Sequence, residues 1–134
     1  MLRITSIAGA LAAASLALAP TSGLAQNVQE TLDRIDQLQQ QATARQRAMN
    51  LARNTAVTLN GGLTQYIPAS CMFTSGGSGG SCLVGNDTKG FLFRFNGGAP
   101  GWQQMGKPPT LTTEILISPD GRTVQQLIYN GPAI

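Results

Sequence analysis

The sequence predicts an α+β domain, one long N-terminal helix packed on a four- to five-stranded antiparallel meander sheet. Three observations predict it. Residues 27–59 contain no glycine or proline, so nothing local interrupts a helix. Phe91, Phe93 and Phe95 alternate with Leu92 and Arg94, the period of a strand with one buried face. Residues 111–117 and 123–129 flank Ser118-Pro119-Asp120-Gly121, where proline presets φ and glycine accepts a positive one, as a hairpin turn requires.

Ahead of the helix lies a different kind of segment. Arg3 supplies a positive start, residues 7–18 an apolar Ala-rich run, and Gly23-Leu24-Ala25 a small-residue exit. This is the pattern of a secretory signal peptide cleaved after Ala25. A second match, Ala17-Leu18-Ala19, would leave Pro20 as the first residue and is the weaker of the two. The apolar run is shorter than the ~20 residues a membrane-spanning helix needs. The expected organisation is a leader at 1–25 and one exported domain at 26–134, with the helix at 27–59 and the sheet at 69–130. No transmembrane segment remains after cleavage, and the expected address is periplasmic or extracellular.

Removing 25 of the 134 residues leaves 109, enough for one domain. Only 11% of the chain is charged, unlike a disordered tail. Without Arg3, eight basic residues face six acidic ones, a net charge of +2. The bases are scattered rather than gathered on an aromatic-studded face, so nucleic acid is not an expected partner.

Cys71 and Cys82 are the two cysteines, and in an exported chain they read as one disulfide. A metal site would need further ligands, and the sequence has no histidine. No cofactor is implied.

The helix has its own polarity. Asn27 followed by Glu30 has the form of a capping pair, and Asn60-Gly61-Gly62 is a stop signal. Glu30, Asp33 and Asp36 crowd the start, while Arg45, Arg47 and Arg53 follow, an order that complements the helix dipole. Val28, Leu32, Ile35 and Leu38 form an apolar stripe in the first half, and Ala48, Met49, Ala52, Ala56 and Leu59 one in the last third. Such a helix reaches about 50 Å, whereas a typical strand spans ~17–20 Å. The first half is therefore expected to overhang the sheet, unless the helix breaks near Gln39-Gln40-Gln41 or the stripe meets a partner within the chain.

Beyond the helix, residues 70–73 and 82–84 are expected as strands flanking a Gly/Ser loop at 74–81, stapled by the cysteines into a hairpin. Residues 85–90 read as a turn cluster and 96–109 as a longer loop. In that loop Trp102 and Met105 form the candidate contact surface, since aromatics and methionine are enriched at interfaces. The competing expectation is that Trp102 folds back to cap the sheet core.

Several motif matches lack their chemistry. Gly76-Gly77-Ser78-Gly79-Gly80 spells G-x-S-x-G, but a nucleophile elbow needs a strand-to-helix turn and a histidine base. Gly101 to Lys107 spells G-x-x-x-x-G-K, yet Pro108 stands where a Mg²⁺-binding hydroxyl belongs. Asn86-Asp87-Thr88 fits a glycosylation sequon and equally a polar turn, and it lacks the further oxygen ligands of a calcium loop. Glu114 and Asp120 show no acidic partner of the kind a glycosidase pair requires.

A long helix on an antiparallel meander, with a disulfide in the sheet region, resembles the layout of type IV pilin and pseudopilin head domains. The resemblance implies that layout alone. Pilins are processed at a glycine before an assembly helix that is hydrophobic, with glutamate at the fifth mature position. Here the apolar segment precedes an alanine exit and the mature helix is Gln-rich, so no functional residue carries over.

The functional expectation is an exported, non-enzymatic structural or interaction protein that binds a copy of itself or another exported protein through Val28, Leu32, Ile35 and Leu38. The alternatives are a ligand- or glycan-binding module stacking on Trp102, Tyr66 or Tyr129, and a small hydrolase.

Overall fold

A computed structural model describes residues 9–10, 12–16, 22–73 and 82–134. Most of the leader pattern and the Gly/Ser loop with its G-x-S-x-G match lie outside these residues. The fold is α+β: α1 (Ser22–Leu59) packs on a five-stranded antiparallel sheet of β1 (Ile67–Pro68), β2 (Leu83–Asp87), β3 (Gly90–Gly98), β4 (Leu111–Ile117) and β5 (Val124–Pro132). The order is β1-β3-β4-β5, with β2 also paired to β3.

The helix is continuous through the glutamines and 38 residues long, about 57 Å at 1.5 Å per residue. It starts at Ser22, five residues before the expected Asn27 and within the expected leader. In the full-length chain Asn27 lies inside the helix, where its carbonyl accepts a bond from the Thr31 hydroxyl one turn later at 2.8 Å. The C-terminal stop forms as the glycines require. Gly61 and Gly62 take φ of 97° and 89°, and Gly62 N–H donates to the Val57 carbonyl at 2.8 Å.

In β3, Phe91, Phe93 and Phe95 all turn inward, opposite Ile117, Ile115 and Thr113 of β4. The helix meets this face with the buried ridge Ala44, Ala48, Ala52 and Ala56, flanked by Met49. Alanines at i+4 spacing let the helix backbone come close while the sheet supplies the bulk. Burying one such phenylalanine is worth roughly 1.5–3 kcal/mol.

Polar clasps fix the helix at three points along this ridge. The Arg47 guanidinium donates twice to the Asp120 carbonyl, at 3.1 and 2.8 Å, holding the β4–β5 turn. Arg53 donates to the Met72 carbonyl at 3.0 Å and lies 4.9 Å from the Phe73 ring centroid. Asn60 and Asn130 exchange side-chain bonds of 3.1 and 3.0 Å, joining the helix end to β5.

The β4–β5 turn is built as the sequence requires. Gly121 N–H donates to the Ser118 carbonyl, and the Asp120 carboxylate accepts from Ser118 Oγ and Arg122 N–H. Gly121 has φ of 74°, and a Cβ there would run into the Ala44 carbonyl.

Two local expectations are corrected. Residues 70–72 form a 3-10 turn, not a strand, so the disulfide joins that turn to the start of β2 rather than stapling a hairpin. Residues 85–87 continue β2 because they pair with Leu92, Phe91 and Gly90; polar residues are tolerated there because that part of β2 is largely exposed. The loop expected from residue 96 starts later, since Asn96, Gly97 and Gly98 still pair within β3.

Tyr66 is fully buried against Gly97, where any side chain would collide with its ring. Its hydroxyl lies near Thr113 but meets no partner at hydrogen-bond distance among the described residues. Burial raises the phenol above its ordinary range, and Thr113 pulls it partly back.

Gly121→Ala is expected to cost about 2–4 kcal/mol, from the positive φ and the collision with α1. Urea denaturation measures this, and a change under about 1 kcal/mol would contradict the docking of the turn on Ala44. Tyr66→Phe is expected to keep or raise stability, by up to about 1–2 kcal/mol, because it removes an unbonded buried hydroxyl. A clear loss in the same denaturation experiment would show that the hydroxyl is bonded.

Candidate interaction surface

Where α1 leaves the sheet, its character changes abruptly. Every residue from 23 to 43 is exposed, and Ala44 is the first buried one. The overhang is 21 residues long, about 32 Å. Helicity in an unsupported segment of this length is marginal in water. Here it is continuous with an anchored helix, so no separate nucleation is needed.

The four residues singled out from the sequence all lie on this overhang. Val28 is 59% exposed, Leu32 50%, Ile35 44% and Leu38 59%. No other element of the described structure covers them. At 3.6 residues per turn they lie roughly 120–180° around the helix from Ala44, the side on which the β4–β5 turn docks. The stripe is thus turned away from the β4–β5 turn, although Leu38 shares the azimuth of Ala56, and a second helix laid along it would not meet that turn.

The polar side of the same junction is an open groove of about 760 Å³ lined by Asp36, Gln40, Thr43, Arg47 and Asp120 among others. Its principal charged groups are already engaged. Arg47 holds the Asp120 carbonyl, and Asp120 holds its own turn, which lowers its carboxyl below the ordinary carboxylate range, chiefly through Ser118.

Trp102 and Met105 do not form one surface. Trp102 is 8% exposed, stacks over Gly98 and donates its indole N–H to the Ile67 carbonyl at 2.9 Å. It folds back onto the sheet, as the competing expectation had it, though on the face away from the α1 core; Met105 stays exposed. The G-x-x-x-x-G-K backbone is likewise spent internally. The N–H groups of Trp102, Met105, Gly106 and Lys107 donate to carbonyls of residues 99, 101, 103 and 102, leaving none of the four for a phosphate.

The aromatics proposed as stacking surfaces are dispersed. Tyr66 packs over Gly97 and Trp102 over Gly98, so the two lie on opposite faces of the sheet. Tyr129 stands on β5, its hydroxyl bound to the Pro132 carbonyl at 2.6 Å. A shallow groove of about 600 Å³ beside Trp102 includes Arg94, Asn96, Gln103 and Ile134. The exposed β5 edge, with Leu127 42% and Ile128 43% exposed, was not anticipated. Its register against β4 slips twice, leaving Gln125 and Ile128 as extra residues. Such bulges blunt an edge against further strands.

No group of three or more His, Cys, Asp or Glu side chains suited to a metal ion occurs among the described residues. No helix there is long and apolar enough to cross a membrane.

Cys71 and Cys82 form a disulfide, with 5.9 Å between their Cα atoms. The segment it ties down carries the Met72 carbonyl that receives Arg53. Reduction is expected to cost roughly 3 kcal/mol for a loop of this size. A calorimetric scan with and without reductant measures it, and an unchanged midpoint would show that the bridge does not constrain the unfolded chain.

Comparison with protein-family models, with curated proteins and with solved structures finds no match to this chain.

Proposed function

We propose that this chain is an exported, non-enzymatic interaction protein that self-associates through the overhanging half of α1. One observation carries the reading: a continuous helix places Val28, Leu32, Ile35 and Leu38 on a face that its own sheet does not approach. An apolar helical stripe in water gains most from a second helix of the same kind, through side chains at three- and four-residue spacing. A second copy is the partner that carries the same stripe. Residues 23–43 carry Glu30, Asp33, Asp36 and one arginine, Arg34, whereas residues 44–59 carry Arg45, Arg47 and Arg53 and no acid. Glu30 and Asp33 lie on the far side of the helix from the stripe, so they do not crowd a helix packed along it.

Export is supported by the leader pattern of residues 1–25 and by the disulfide, which an oxidising compartment preserves. The absence of histidine and the engagement of Asp87 and Asp120 in their own turns support a non-enzymatic role. A ligand-binding role finds less support, since its three aromatics do not share a face.

Sedimentation of residues 26–134 is expected to show a dimer that Leu32→Ser with Ile35→Ser converts to a monomer while circular dichroism keeps the folded sheet. A strict monomer in both proteins, or a dimer that the double substitution leaves intact, would overturn the proposal.

A further inference from the structure

We infer that Asn60 is a site of spontaneous, one-way deamidation whose product loosens the end of α1 from β5. The inference is independent of the self-association proposed above and concerns the opposite end of the helix.

The chain contains three Asn-Gly steps, at 60–61, 96–97 and 130–131. Glycine carries no side chain to shield its nitrogen, which can attack the preceding asparagine's amide carbon from within the same chain. The nitrogen gives up its proton, bonds to Cγ and expels Nδ2 as ammonia, leaving a cyclic imide. Water then opens the imide at either carbonyl. One opening gives aspartate; the other gives isoaspartate, with the main chain rerouted through the side chain. Nothing is oxidised or reduced, and the loss of ammonia makes the conversion one-way.

The fold separates the three steps. Gly97 is buried and paired with Pro68 on one side and Leu111 on the other, and Gly131 is paired with Thr112. Ring closure requires rotation about the asparagine Cα–C bond, which an extended strand tied into a ladder resists. Asn60 stands outside the sheet, at the helix stop. Among the described residues, the peptide unit between Asn60 and Gly61 has neither its carbonyl nor its N–H hydrogen-bonded. The bond that closes the helix passes over it, from Gly62 N–H to the Val57 carbonyl. Gly61 is also exposed, so base and water reach its nitrogen.

The clasp to β5 restrains the reaction. Asn60 Nδ2 donates to the Ala56 carbonyl at 2.8 Å and to Asn130 Oδ1 at 3.1 Å, while Asn60 Oδ1 accepts from Asn130 Nδ2 at 3.0 Å. These bonds fix the side-chain torsions that ring closure has to turn. Once the amide is lost they cannot all reform. A carboxylate at this position keeps the bond from Asn130 Nδ2 but has no hydrogen for the Ala56 carbonyl or Asn130 Oδ1. It also sets a negative charge at the helix C-terminus, against the dipole.

Peptide mapping of the purified protein, aged at mildly alkaline pH, tests this. Conversion is expected first at Asn60, with Asn96 and Asn130 slower by several-fold and isoaspartate among the products. Earlier conversion at Asn96 or Asn130, none at Asn60, or aspartate without isoaspartate would overturn the inference, and this map needs no variant. Asn130→Ala, its fold checked by circular dichroism, is expected to speed conversion at Asn60 several-fold. An unchanged rate would count against restraint by the clasp. The aged fraction, separated by its added negative charge, is expected to melt below the fresh protein; equal midpoints would show that the helix end stays fastened.

Discussion

The close seating of α1 on the sheet through Ala44, Ala48, Ala52 and Ala56 is the constraint on which the rest of the structure depends. Four alanines at one-turn spacing leave no side-chain bulk between helix backbone and sheet. The bulk comes from the other side, from Phe91, Phe93, Phe95, Ile115 and Ile117. This division of labour explains why Gly121 must lack a side chain, since the turn that carries it rests directly on helix backbone. It also explains the clasps. Alanines make few contacts each, so Arg47, Arg53 and Asn60 secure the helix by bonding to the β4–β5 turn, the disulfide segment and β5 in sequence.

The seating ends where the alanines end. Beyond Ala44 the i−4 position is Gln40, and before it Asp36 and Leu32, none of which permits close approach to a sheet. The helix continues regardless because residues 22–43 contain good helix formers and just one glycine, Gly23, at the start. Each four-residue step turns about 40° round the helix, so by Leu32 the ridge has turned some 120° from Ala44 and its apolar residues no longer face the β4–β5 turn. The helix therefore presents two surfaces: one packed on its own sheet, and one exposed stripe on which the proposed association rests.

Much of this was legible in the chain. The phenylalanine alternation, the Ser118–Gly121 turn and the Asn60-Gly61-Gly62 stop each carry their own stereochemical cause, and each forms where expected. The exposed stripe followed from arithmetic on helix and strand lengths. What was not legible depended on pairing partners distant in sequence. Residues 85–87 look like a turn because Gly, Asn and Asp suit turns, but Phe91 and Leu92 recruit them as a strand. Residues 70–72 look like a strand by apolar content, yet the chain must bend there to bring Cys71 to Cys82. Asn27 and Glu30 form a valid capping pattern, but a cap acts only where a helix begins, and in the full-length chain this helix begins at Ser22. Trp102 was ambiguous for a sound reason. A tryptophan in a loop serves either an interface or the protein's own packing, and Gly98, by leaving space for the ring, lets it fold onto the sheet face away from α1.

The distribution of charge ties the overhang to the anchored half of the helix. Arg47 and Arg53 hold the sheet through backbone carbonyls, Asp120 and Met72, rather than through carboxylates. A carbonyl neutralises no charge, so both guanidiniums keep their full positive field at the base of the overhang. Had the sheet offered aspartates at those positions, the root of the helix would be neutral. Using carbonyls as acceptors therefore lets the arginines fasten the helix while its two halves keep opposite charge, acidic on the overhang and basic on the seated part. The acids Glu30 and Asp33 lie on the far side of the overhang from Val28, Leu32, Ile35 and Leu38, so the proposed association rests on that apolar stripe and not on charge.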